Sequence, residues 1–140
     1  MRSTDTLVDT GFLVALFNGG DRHHVSARSM LAQLAGARLH TVWEVLTEAG
    51  HLLDDTATGN LLRWAATGRL TVHASDSDEL DAMADFIGRY ADGGADMADV
   101  ALVFTADRIG VHRILTVDRR DFDRYRSPCG KKFTRLWVKD

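Results

Sequence analysis

Residues 95–122 read ADMADVALVFTADRIGVHRILTVDRRDF, and the reading of this stretch decides the fold. Two aspartates, Asp96 and Asp99, stand at the head of an apolar helical run that Gly110 ends. A short β-like segment, Arg113 to Val117, follows and delivers a third aspartate, Asp118. A helix followed by a strand with acids at the join marks a site at one edge of an α/β sheet, where ligands bind outside the carboxyl ends of the strands. Asp99 falls in the first helical turn, where a carboxylate favours the positive end of the macrodipole. Asp96, three residues earlier, is read either as the helix cap or as a helper of the site.

Working outward, the front of the chain repeats the layout. Thr6 to Val8 is β-like and ends at Asp9, and TGFLVALFN continues as a helix stopped by Asn18-Gly19-Gly20. Asp9 then emerges at a strand end, as a helix cap or as a site residue, and Thr10 beside it offers a hydroxyl or amide to the same place. Asp21 suits the cap of a helix from His23 to about Leu34. The adjacent His23 and His24 point about 100° apart on a helix, which suits structural or surface roles better than one shared ion. Arg38 to Val42 is a strand candidate leading into a helix from Trp43 to Leu53, with Glu44 and Glu48 at i and i+4. Glu48 is expected close to buried surface, where a carboxylate is costly unless paired, protonated or bound to a cation; Glu44 is expected in solvent.

Helix over Leu61–Ala66 closed by Gly68, a strand over Arg69–His73, and an amphipathic helix over Ser77–Tyr90 complete the middle of the chain. That last helix is read with Ser77 as its cap and Leu80, Met83, Ala84 and Ile87 inward. A final strand is expected over Phe133–Val138. About five strands alternating with helices predict a three-layer α/β/α fold, a mostly parallel sheet flanked by helices. With 140 residues, no repeat and no linker, the whole of 1–140 reads as a single domain.

Composition is ordinary for a soluble globular protein, 45% hydrophobic and 26% charged. No apolar run reaches the ~18–20 residues of a membrane span, and the N-terminus lacks the sections of a signal peptide. Cys129 is the single cysteine, which excludes an internal disulfide, fits a reducing compartment and reads as an ordinary loop residue; the expectation is cytoplasmic. The net charge of −3 is unevenly spread: from Arg119 to Asp140 eight Lys or Arg stand against three Asp. Arg119, Arg120, Arg124 and Arg126 in that tail are candidate phosphate contacts, the other reading being a solvated surface.

Asp9, Glu48, Asp99 and Asp118 can thus share one pocket. Like charges at ~4–6 Å disfavour joint ionisation, so such a cluster makes sense around a divalent cation. All-oxygen ligands suit Mg²⁺ or Mn²⁺, and the absence of His or Cys at ligand spacing argues against zinc. A cation so held can activate water and steady the charge of a phosphoryl group, which points to a phosphodiester substrate. Thr116, two residues before Asp118 on the same side of its strand, is a candidate support for a carboxylate, and Asp121 either joins the site or pairs with the neighbouring arginines.

Nearly the whole chain resembles a PIN-domain ribonuclease of the VapC toxin type. The resemblance lies in VDTGFLVALFNGGDRHH, VWEVLTEAGHLL, ADMADVALVFTADRIGVHRILTVDRRDF and the closing FTRLWV, in that order. It implies that Asp9, Glu48, Asp99 and Asp118 are the four family acids. Asp9, Asp99 and Asp118 would be the metal ligands, and Glu48 would complete the shell or position the attacking water. It also implies Mg²⁺- or Mn²⁺-dependent endonucleolytic cleavage of single-stranded or loop RNA, a small VapB-like antitoxin and a homodimer. Val100 stands where the family often has Ala after the third acid. The competing readings are a PIN nuclease of RNA processing or decay without an antitoxin, and a non-catalytic RNA- or protein-binding module. A phospho-acceptor signalling domain is disfavoured, because Lys131 and Lys132 precede the last strand instead of ending it.

Overall fold

Five short runs rich in Leu, Val, Ile and Thr become the strands: β1 (Thr6–Val8), β2 (Leu39–Val42), β3 (Leu70–His73), β4 (Arg113–Thr116) and β5 (Thr134–Trp137). The computed structural model describes residues 4–117 and 120–137. The strands form one sheet in the order β3-β2-β1-β4-β5, and every neighbouring pair is parallel. All residues of β1 and β2 are buried, as expected of parallel strands covered on both faces. Seven α-helices surround the sheet: α1 (Thr10–Phe17), α2 (His24–Gln33), α3 (Trp43–Leu52), α4 (Asp55–Trp64), α5 (Leu80–Arg89), α6 (Met97–Ile109) and the single turn α7 (Asp121–Arg124). Right-handed crossovers put α1 to α4 on one face and α5 and α6 on the other. In agreement, α1 packs against α2, α3 and α4 while α5 packs on α6.

The three-layer α/β/α arrangement is the one the alternation predicts, and its organising element is α6. Nine consecutive residues, Ala98 to Ala106, are all buried. A helix that is apolar all round belongs inside the core, so the aspartate in its first turn is carried inward with it. Gly110 closes α6 in the left-handed region (φ 70°), with its N–H donated to the Ala106 carbonyl. Among the described residues, no helix is long and apolar enough to cross a membrane.

Several boundaries differ from expectation, each for a local reason. Asp21 does not cap α2 directly; its carboxylate accepts the His23 N–H at 2.8 Å and the helix starts at His24. Helix α4 begins at Asp55, earlier than the apolar pattern suggested, because Asp54 accepts the Ala57 N–H at 2.8 Å. It then widens over Ala65–Arg69 and turns at Gly68 (φ 91°) into β3. The helix expected from Ser77 opens instead as a tight turn over Ser77–Glu79, with Asp76 as the cap. That opening rotates the buried stripe of α5 onto Met83 and Phe86, leaving Leu80 and Ala84 exposed. Phe86 packs among Tyr90, Phe104 and Tyr125, burying far more apolar surface than an alanine at position 84 could. The last strand ends within the described residues at Trp137; Val138 lies outside them.

Candidate active site

Asp9 is placed by the β1–β4 ladder. Val8 pairs with Leu115, and the Asp9 N–H extends the ladder by donating to the Leu115 carbonyl at 3.0 Å. The chain then turns, and the Asp9 carboxylate caps α1 by accepting the Thr10 N–H at 2.7 Å. Its other oxygen accepts the Thr116 hydroxyl at 2.9 Å. Asp9 thus both caps α1 and accepts the hydroxyl of Thr116, the β-branched residue two positions before Asp118. Gly11 lets this turn lie close to β4: a Cβ there would come within 2.6 Å of a Val117 methyl. Asp118 itself and Arg119 lie outside the described residues.

Asp99 is held from two sides. Asp96 is the cap of α6, accepting the Asp99 N–H at 2.9 Å, and the Tyr125 hydroxyl donates to Asp99 Oδ2 at 2.7 Å. Asp99 is only 8% exposed. Glu48 is half-buried on α3, flanked by buried Val45 and Ala49. Glu44, expected in solvent, is also half-buried; it accepts the Ser75 hydroxyl at 3.2 Å, and its other oxygen is enclosed. Ser75, in the loop after β3, covers that turn of α3.

These groups converge at the carboxyl edge of the sheet, where one cavity of about 400 Å³ is lined by Asp9, Asp21, Glu48, Asp96, Asp99 and Asp121. Six carboxylates line this one cavity, a concentration of negative charge that favours the entry of a cation. Thr10 is buried in the same wall, and its hydroxyl has no hydrogen-bond partner among the described residues. Asp21 and His23 were not read as site residues; both line the cavity. Only tertiary folding brings the start of α2 here, and no spacing along the chain signals it. His24 is structural, its Nδ1 lying 2.8 Å from the Ala15 carbonyl.

The basic residues divide. Arg120 is exposed at the start of α7. Arg124 approaches Asp121 at 3.7 Å and lies over the Tyr90 ring. Arg126 is turned back on its own loop, donating to the carbonyls of Asp123, Arg124 and Tyr125. These three bonds engage its Nη1. The arrangement also corrects the reading of Cys129, whose thiol and N–H both donate to Asp107, at 3.0 and 2.7 Å. His112 Nε2 lies 2.7 Å from the same carboxylate. Burial pushes the Asp107 carboxyl up, but hydrogen bonds from Cys129, Ser127 and His112 outweigh it and hold the group below its ordinary value. A His and a Cys do meet, then, though away from the acidic cavity.

Comparison with known proteins places this geometry. Residues 6–128 match the PIN domain family. The ribonuclease VapC26 of Mycobacterium tuberculosis is 29% identical over 133 residues, covering 91% of this chain and 97% of that protein. The crystal structure of VapC20 from Mycobacterium tuberculosis, described as a sarcin-ricin loop cleaving toxin, superposes with a TM-score of 0.72 at 21% identity, over 79% of this chain and 87% of that one. VapBC2 from Rickettsia felis, solved bound to a DNA fragment from its promoter, gives a TM-score of 0.62 at 13% identity, over 94% and 96% of the two chains. The structural likenesses carry the fold, and the family match includes every acid that lines the cavity. By that match the chain belongs to the PIN-domain family.

Proposed function

We propose that this chain is a Mg²⁺- or Mn²⁺-dependent endoribonuclease and the toxin of a VapBC-type pair. The observation that carries the reading is the cavity lined by carboxylates from the end of β1, the middle of α3 and the start of α6. The donor set is all oxygen and fits a hard divalent cation, and the unpartnered Thr10 hydroxyl in the wall suits a bound water. Asp9, Asp99 and Asp118 would hold the ion, with Asp96 and Asp121 in supporting positions. Mg²⁺ or Mn²⁺ bound there would supply a Lewis acid for a phosphoryl oxygen and an acidified water. Thr116 and Tyr125 fix the orientation of Asp9 and Asp99 by donating to them. Glu48 would position the attacking water. Arg119, Arg120, Arg124 and Arg126 are the candidate phosphate contacts of the basic tail, Arg120 being exposed next to Asp121 of the cavity wall.

The partner surfaces suit the same reading. Between α1, α2 and α4 runs an apolar groove of about 560 Å³ that includes Phe17, Leu31 and Trp64, with Arg28 and Arg69 at its margin. An amphipathic, acidic antitoxin segment would match it in both respects. Trp43, Leu52 and Met97 are exposed beside the acidic cavity and would be covered in a homodimer. The test is incubation of the purified chain with structured RNA, Mg²⁺ or Mn²⁺ and, in a parallel arm, chelator. Metal-dependent cleavage that vanishes in Asp9→Asn and Asp99→Asn is expected. Full activity in both variants overturns the mechanism, and failure of a VapB-like protein encoded alongside to suppress cleavage overturns the toxin assignment alone.

A further inference from the structure

We propose that Asp107, His112 and Cys129 form a second metal site, for a soft divalent cation of which Zn²⁺ is the type, separate from the carboxylate cavity. One ligand atom from each residue lies within 4.8 Å of the other two. The closest pairs are His112 Nε2 to Asp107 Oδ1 at 2.7 Å and Cys129 Sγ to the same oxygen at 3.0 Å. Zinc bonds of about 2.0–2.3 Å in a tetrahedral shell separate ligand atoms by roughly 3–4 Å. Entry of the ion therefore needs these side chains to part by about 1 Å. The set of one carboxylate, one imidazole and one thiolate selects zinc over magnesium.

The surroundings support the ligands. The Cys129 N–H donates to Asp107 Oδ2 at 2.7 Å, which fixes the carboxylate plane and leaves Oδ1 toward the other two ligands. Buried Ser127 has its hydroxyl 3.5 Å from Sγ and accepts the Lys131 N–H at 3.1 Å. The turn bearing the thiol is closed by Gly130 N–H to the Ser127 carbonyl at 2.7 Å, with Gly130 at φ 87°. Cys129 is exposed, which gives an ion a route in and leaves a position for water. On binding, the Cys129 thiol gives up its proton to solvent, and His112 presents the Nε2 lone pair with its proton on Nδ1. One proton is released per ion, so affinity falls as pH is lowered.

The site sits away from the acids. Asp107 follows Asp99 by eight residues, about 12 Å along α6, and His112 precedes β4 at the amino edge of the sheet. Its effect is to tie the late loop to the end of α6 a few residues beyond Tyr125, the residue that holds Asp99.

Cobalt(II) titration of the purified full chain tests this. A thiolate-to-cobalt charge-transfer band in the near ultraviolet, with visible bands of tetrahedral intensity, is expected, and both should be displaced by one equivalent of zinc. Cys129→Ser should lose the charge-transfer band and His112→Gln should lower cobalt affinity by about 10-fold or more, while Asp9→Asn keeps both signals. Absence of the band in the parent chain, or its survival in Cys129→Ser, overturns the proposal. Should Cys129→Ser not fold by circular dichroism, unchanged affinity in His112→Gln overturns it equally.

Discussion

Tyr125 donates its hydroxyl to a carboxylate that is nearly inaccessible to water, and so helps to orient Asp99. A hydrogen bond to a charged group contributes about 1.5–3 kcal/mol. Tyr125→Phe should therefore lower the unfolding free energy from urea titration by an amount of that order, and should cut RNA cleavage more than it weakens RNA binding. An unchanged cleavage rate with the stability loss present would reduce Tyr125 to a packing residue. Thr116 could be read from the sequence because side chains two apart share a strand face, and that face meets Asp9 through the β1–β4 register. Tyr125 could not, since no motif surrounds it and its partner lies 26 residues earlier. The same holds for Asp107, His112 and Cys129. Metal-ligand spacing along a chain reveals ligands on one turn or one helix, whereas these three are gathered by the end of α6, the approach to β4 and a late loop.

At the scale of elements, the strands and the glycine-closed helix ends were the legible part, because alternation and glycines act within a few residues. Gly110 is the clearest: at φ 70° an L side chain is strained by about 1–2 kcal/mol. Gly110→Ala should lower thermal stability by that order and leave metal-dependent cleavage intact, read by calorimetry beside an activity assay. The face of α5 was misread because the tight opening turn shifts the helical phase, a choice made by Phe86 and its aromatic neighbours. One side-chain network joins β2, β3 and the residue before β1, and was not anticipated. His40, 8% exposed, faces His73 Nε2 at 2.9 Å and Asp5 at 3.4 Å. Burial, then His40, then Arg108 lower the pKa of His73 below its ordinary 6.5. The unfolded chain thus takes up this proton first, so His73 contributes stability that is present above pH 6.5 and lost as pH falls through its native value. Arg108 is itself paired with Glu79, and Asp5 stands behind His40. The difference in urea midpoint between pH 7.5 and 5.5 should shrink in His73→Gln; an unchanged difference would assign the acid sensitivity to other groups.

The whole molecule concentrates negative charge at one end of the sheet, and its stability and its proposed activity pull against each other there. An asparagine at position 9 can still accept the Thr10 N–H through its one oxygen, and its NH2 can donate to the Thr116 hydroxyl in place of the bond that Asp9 accepts. What Asp9→Asn removes is one charge from a cavity lined by six carboxylates. In chelator, where nothing neutralises the cluster, relief of repulsion should raise the melting temperature of Asp9→Asn above that of the parent. With Mg²⁺ added the order should reverse or close, because a ligand that binds only the folded state stabilises it by RT ln(1 + [L]/Kd), and the variant binds more weakly. The measurement is a pair of melting curves for each chain, with chelator and with saturating Mg²⁺. A parent chain whose melting temperature does not respond to Mg²⁺ would deny the cavity a cation. A variant less stable than the parent in chelator would mean that the carboxylate serves the fold more than it strains it. The expected crossing ties the arrangement of acids to function through energetics alone, independent of any RNA: the chain keeps a costly cluster that an ion would relieve.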